Sequence, residues 1–113
     1  MNREIKPIVA TELSRKMLEL PGCIGVALLD SEGRILERTG RIAEWFIEKM
    51  NRIVATRGEL IPTGAITVFQ APPEIAVLMV ESEFIVIAEC RCNASFGTML
   101  KELAIRFPEF VTR

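Results

Sequence analysis

The side chains best able to do chemistry in this chain are its thiols. Cys90 and Cys92 stand two apart at the end of the run FIVIAEC, so in extended chain both point to one face. Cys23 opens a second apolar run, CIGVALL. Three cysteines need a fourth ligand to make a tetrahedral zinc site, and the 113 residues contain 0 histidines. The same absence removes the commonest general base. Redox chemistry is open to the thiols; so is a bland role, since cysteine packs as a small hydrophobe. The odd count argues against a disulfide-stapled secreted fold.

Other chemistries find less support. Glu81, Glu83 and Glu89 flank strand-like runs without a grouping that would pair two carboxylates for acid–base work. Neither G-x-x-x-x-G-K-[ST] nor G-x-G-x-x-G occurs, so no loop cradles a phosphate. The sequence predicts no catalytic residue, no metal and no cofactor. What it does offer is a surface. Trp45 is the single tryptophan. It falls outside the apolar stripe of its helix, which leaves open an edge-of-core residue or an interface anchor. Glu44, Glu48, Asn51 and Arg52 share the polar face of that helix; they are a solvated face or a partner site.

Those residues need elements to position them. Residues 7–20 read as a helix with Ile8 or Val9, Leu13, Met17 and Leu20 on one face, Pro7 in its first turn and Pro21-Gly22 as its stop. Residues 23–30 read as a strand. Ile24, Val26 and Leu28 share one face, and the small Cys23, Gly25 and Ala27 share the other, where a helix could sit close to the backbone. Asp30-Ser-Glu-Gly33 is a turn, and residues 34–39 return as a strand. Residues 41–56 read as a helix burying Ile42, Ala43, Phe46, Ile47, Met50, Ile53 and Val54, with Gly58 as its stop.

AITVFQA (65–71), EIAVLMVE (74–81) and FIVIAEC (84–90) are strand-like, and the gaps at Pro72-Pro73 and Ser82-Glu83 are too short for crossovers. The last helix has Phe96, Met99, Leu100, Leu103, Ala104 and Phe107 at helical spacing, capped by Asn93 or Ser95 and ended by Pro108. The order is α-β-β-α-β-β-β-α, a single α+β domain over residues 1–113: a five-stranded antiparallel sheet with helices on both faces.

The totals agree with such a domain. Half of the chain, 50%, is hydrophobic, enough for a filled core. A net charge of -1 leaves no electrostatic footprint for nucleic acid or an anionic membrane. No apolar run approaches the roughly 18 residues of a membrane span. MNREIKPIVATEL has no long apolar core, so a signal peptide is not expected and a cytoplasmic location is. Richness in Ile, Glu and Arg leans weakly towards a thermophile.

The element order, with LPGCIGVALLDSEGRIL at its first helix–strand–hairpin junction, resembles the Roadblock domain family: dynein light chains, Ragulator subunits and prokaryotic regulators of small GTPases. Leu20, Pro21, Gly22, Asp30 and Gly33 occupy the family's Leu-Pro-Gly and Asp-x-x-Gly positions, and CNASFGTMLKEL places Asn93 and Gly97 where the family opens its last helix. The resemblance implies the strand order 2-1-5-4-3, which makes 65–71 an outer strand and sets Cys23 close to Cys90 or Cys92. It also implies a homo- or heterodimer that is a non-catalytic scaffold or regulator of a Ras-like GTPase, the GTPase being the partner.

Between Ala65 and Ala71 there is no charge and no proline to block pairing of an open edge. A homodimer is therefore expected through Trp45, Lys49, Ile66, Thr67, Val68 and Phe69, with Glu44, Glu48 and Arg52 as partner-binding candidates. The other reading is a PAS- or profilin-like sensor holding a small ligand between sheet and helix. A sensor needs convergent polar groups inside, and the interior candidates here are almost wholly aliphatic.

Overall fold

The computed structural model describes residues 5–57, 61–71, 74–91 and 96–107. Gly58, Pro72, Pro73, Cys92, Asn93, Ser95 and Pro108, named above as stops, caps or thiols, lie outside the described residues, as do the side chains of Pro7, Ile8, Val9 and Phe96.

Helix α1 runs Ile5–Met17. Leu13 and Met17 bury one turn apart, and Leu20 follows them into the core from the turn after the helix. That turn is closed by Leu20 N–H to Met17 O and by Cys23 N–H to Leu20 O, both 3.1 Å. Gly22 sits at φ 72°, a backbone state that only glycine adopts without strain.

Strand β1 (Cys23–Asp30) then pairs antiparallel with β2 (Ile35–Gly40). Asp30 shapes the hairpin: its Oδ1 accepts the N–H of Glu32 and of Arg34, each at 2.9 Å, and Gly33 takes φ 86°. Helix α2 (Glu44–Arg57) follows, then β3 (Ile66–Ala71), β4 (Glu74–Val80), β5 (Phe84–Cys90) and α3 (Phe96–Arg106).

The sheet has five strands in the order β2-β1-β5-β4-β3, and every ladder is antiparallel. Among the described residues, an isolated parallel bridge joins Thr63, which belongs to no strand, to Val80 at the end of β4. Side chains alternate between two cores. On one face Val26, Val77, Val86 and Ala88 meet Leu13 and Met17 of α1 and Met99 and Leu103 of α3. On the other, Ala27, Leu29, Leu78 and Ile87 meet Phe46, Ile47 and Met50 of α2. Helices thus cover both faces, and β1, β4 and β5 are apolar on both sides because both sides are covered.

Two expectations fail. Cys23 does not share the face of Gly25 and Ala27. The β1–β5 register shifts between Cys23 and Gly25, so Ile24 is an extra residue in β1 and the alternation slips by one. Cys23 therefore packs against the α1/α3 core with Val26 and Leu28. On α3, Leu100 and Ala104 are exposed rather than buried. Among the described side chains of the stripe, Met99, Leu103 and Phe107 carry that contact, a narrower strip than the spacing suggested.

Candidate interaction surface on α2 and the β3 edge

Helix α2 is fixed on three sides. Its inner face buries Phe46, Ile47 and Met50, each at most 1% exposed. Its start is held from below: Glu89 Oε1 on β5 accepts the Ala43 N–H at 3.0 Å, and Arg38 Nη2 on β2 donates to Ile42 O at 2.7 Å. Its middle is tied to the β1–β2 hairpin by Asn51 Nδ2, which donates to Gly33 O at 3.0 Å. The segment leading into it crosses directly over Gly25. A Cβ there would lie 2.8 Å from Arg41 N and 3.0 Å from Ile42 Cα. The small face of β1 does admit close approach, as its residue sizes suggested.

With the inner face so fixed, the outer face is set by the 3.6-residue period. Trp45, Lys49, Arg52 and Thr56 fall at i, i+4, i+7 and i+11. Trp45 is 54% exposed, which removes the core reading for it. Its indole stands edge-on to Phe46, with ring centroids 5.7 Å apart and planes at 81°. Glu44 and Glu48 lie further round, on the flank towards β2, where Glu44 is 4.0 Å from Arg38.

Strand β3 is one edge of the sheet. Thr67 and Phe69 pair with Leu78 and Ala76 and so face α2. Ile66 and Val68 belong to the opposite face and are packed into the α1/α3 core. Between β3 and α2 runs a groove of about 500 Å³ lined by Lys49, Arg52, Ile53, Thr56 and Phe69. The structure therefore brings Lys49, Arg52 and Phe69 together. It leaves Trp45 further along the same helical stripe, Ile66 and Val68 beneath the sheet, and Glu44 and Glu48 on the other flank.

The two sheet edges differ. The β2 edge carries Glu37 and Arg38 and is exposed along its whole length. From Ala65 to Ala71 the β3 edge has no charged residue, and charge is the usual protection of an open edge.

Two buried carboxylates were missed as such. Glu89 is not a strand-flanking group; it is fully buried within β5. Glu74 is buried too, with Oε2 3.2 Å from Arg91 Nε. Each keeps one oxygen, Glu89 Oε2 and Glu74 Oε1, without a hydrogen-bond partner among the described residues. The signal was available: a charge inside a strand apolar on both faces must be buried, and a buried charge needs a partner. The partner of Glu89 lies 46 residues away in sequence, which periodicity does not show.

The thiols also meet. Cys23 and Cys90 are cross-strand partners in the β1–β5 ladder, both as thiols rather than in a disulfide. A hydrogen bond from Cys90 holds the Cys23 thiol below its ordinary value, against the opposite push of burial.

No family model matches the chain, and no curated protein sequence does. Solved structures do match. MglB of Myxococcus xanthus superposes with a TM-score of 0.56 at 13% identity over 88% of this chain and 94% of its own. A Roadblock/LC7 domain from Streptomyces avermitilis gives 0.50 at 12% identity over 85% and 88%. An MglB with a tetrameric arrangement gives 0.53 at 14% identity over 92% and 91%. Strand order, hairpins and helix placement all agree with what the Leu-Pro-Gly and Asp-x-x-Gly motifs implied: the chain has the Roadblock/LC7 fold.

Proposed function

We propose that this protein is a member of the Roadblock family and a non-catalytic interaction module. Two copies pair through β3 and α2, and the dimer binds and regulates a Ras-like small GTPase or a related Roadblock or longin partner. The observation that carries the reading is the groove between α2 and an edge strand free of charge, with Lys49, Arg52 and Phe69 on its walls and an exposed tryptophan on the same helical stripe. A two-fold pairing of β3 with itself would join two five-stranded sheets into one and lay α2 against its symmetry mate. The tetrameric arrangement of a structural neighbour supports assembly through this fold. The absence of any phosphate-binding loop makes the GTPase the partner, not this chain.

The ligand-sensing alternative has less behind it. Among the described residues the polar groups inside the two cores are few, and Glu74 and Glu89 each spend one oxygen on a partner within the fold.

The test is affinity capture from native lysate with and without a GTP analogue, beside titration of the purified chain with labelled GTP analogue. The reading expects a Ras-like GTPase whose retention depends on the nucleotide, and a flat titration of the chain alone. Saturable micromolar nucleotide binding by the chain itself would sink it.

A further inference from the structure

The start of β1 and the end of β5 are held together independently of any side chain. Arg91 N–H donates to Gly22 O at 2.8 Å, just beyond the register pair Cys23–Cys90. Directly opposed residues of an antiparallel ladder have Cα atoms about 4.5–5.5 Å apart, inside the roughly 4.4–6.8 Å range that a disulfide spans. The bulge at Ile24 turns Cys23 to the face that Cys90 occupies, and both sulfurs lie against the α1/α3 core. The thiols differ in access: Cys23 is half-buried, and Cys90 is fully buried.

We propose that Cys23 and Cys90 form a reversible disulfide site, in which Cys23 reacts with a low-molecular-weight disulfide and Cys90 resolves the product. Cys23, the reachable thiol, loses its proton and attacks one sulfur of the small disulfide. A mixed disulfide forms on Cys23, and one small thiolate leaves and takes up that proton. Cys90 then loses its proton and attacks the Cys23 sulfur. The Cys23–Cys90 bond forms as the second small thiolate leaves and is protonated. Two protein thiols are oxidised and one small disulfide is reduced to two small thiols. The buried partner cannot start this sequence, because no external disulfide reaches it; it is placed to finish it.

The bond would staple the Leu20-Pro21-Gly22 corner to β5 across a long intervening loop, which restricts the unfolded chain more than the folded one. This reading does not depend on dimerisation or on a GTPase.

The experiment is incubation of the full chain with oxidised glutathione, quenching by alkylation, and peptide mapping by mass spectrometry. Two of the 3 thiols should be lost to alkylation, with Cys23 linked to Cys90 and both recovered after excess dithiothreitol. A Cys92→Ser variant should behave the same, and Cys90→Ala should stop at a glutathione adduct on Cys23. The oxidised chain should unfold at a higher temperature than the reduced one. A linkage through Cys92, an adduct that persists at Cys23 in the unaltered chain, three alkylatable thiols after oxidation, or a thermal midpoint unchanged or lowered by the bond would each overturn the proposal.

Discussion

Glu89 Oε1 accepts the Ala43 N–H at 3.0 Å, joining a central strand to the start of α2. The carboxylate does the work of an N-cap from another element: it satisfies a donor that the helix cannot and sets a negative charge at the positive end of the helix dipole. Its other oxygen, Oε2, is buried without a partner among the described residues, and that is a cost. The two effects separate in two variants. Glu89→Ala should destabilise the fold by about 2 kcal/mol through loss of the cap and the packing. Glu89→Gln keeps an acceptor for Ala43 and removes a buried charge, so it should cost less than half as much. Urea unfolding reads both midpoints; a Gln variant as unstable as the Ala variant would contradict this account.

The exposed tryptophan gives the proposed dimer its sharpest test. Trp45→Ala should leave the fold intact, because the indole lies outside the buried stripe. It should weaken self-association by about 2 kcal/mol, roughly 30-fold in Kd, if Trp45 anchors the interface. Gln70→Lys places a charge at an exposed position of the β3 edge and should block pairing. Light scattering on a size-exclusion column measures both. A monomeric unaltered chain at tens of micromolar would remove the dimer.

Gly25 is a packing requirement. A methyl group there meets backbone, Arg41 N and Ile42 Cα, not the flexible end of a side chain. Gly25→Ala should therefore cost at least about 2–3 kcal/mol and should loosen the start of α2. Hydrogen exchange at Ala43–Ile47, compared with exchange at Ile87 in β5, reports the loosening. Equal protection of α2 in the variant and the unaltered chain would show that the crossing has slack.

Asp30 makes the β1–β2 hairpin acid-sensitive. Hydrogen bonds from the backbone of Arg34 and Glu32, with the Arg34 guanidinium at 3.0 Å, hold its carboxyl below the usual carboxylate range. The folded value lies under the unfolded one. The contribution is therefore complete above the unfolded value near about pH 4 and is lost as pH falls through the folded value. Asp30→Asn should remove this component, giving a shallower loss of stability between about pH 5 and 2. Parallel curves for the two proteins in urea midpoint against pH would show that Asp30 does not carry the effect.

Much of the fold was legible because it is local. Pro21-Gly22 ends a helix wherever it stands, Asp30 and Gly33 close a hairpin with their own backbone, and the gaps of two and three residues between β3, β4 and β5 leave room only for antiparallel return. The helical period put Trp45 outside the apolar stripe, and its 54% exposure in the folded chain then separated an outward residue from an edge-of-core one. Leu100 and Ala104 show the limit of that method: spacing says which residues share a face of α3, and only packing says how wide a strip the sheet covers.

What the chain determined by itself was the element order, the apolar faces and the absence of a phosphate loop. The tertiary structure decided the rest. It slipped β1 by one residue at Ile24 and so carried Cys23 from one core to the other. It seated Glu89 under a helix start 46 residues earlier in the chain. It put Lys49 and Arg52 of α2 beside Phe69 of β3. Dihedral preferences and side-chain period act over a few residues, and the sequence displays them directly. Register and burial are settled only when distant strands pair, where one extra residue reverses every face that follows it.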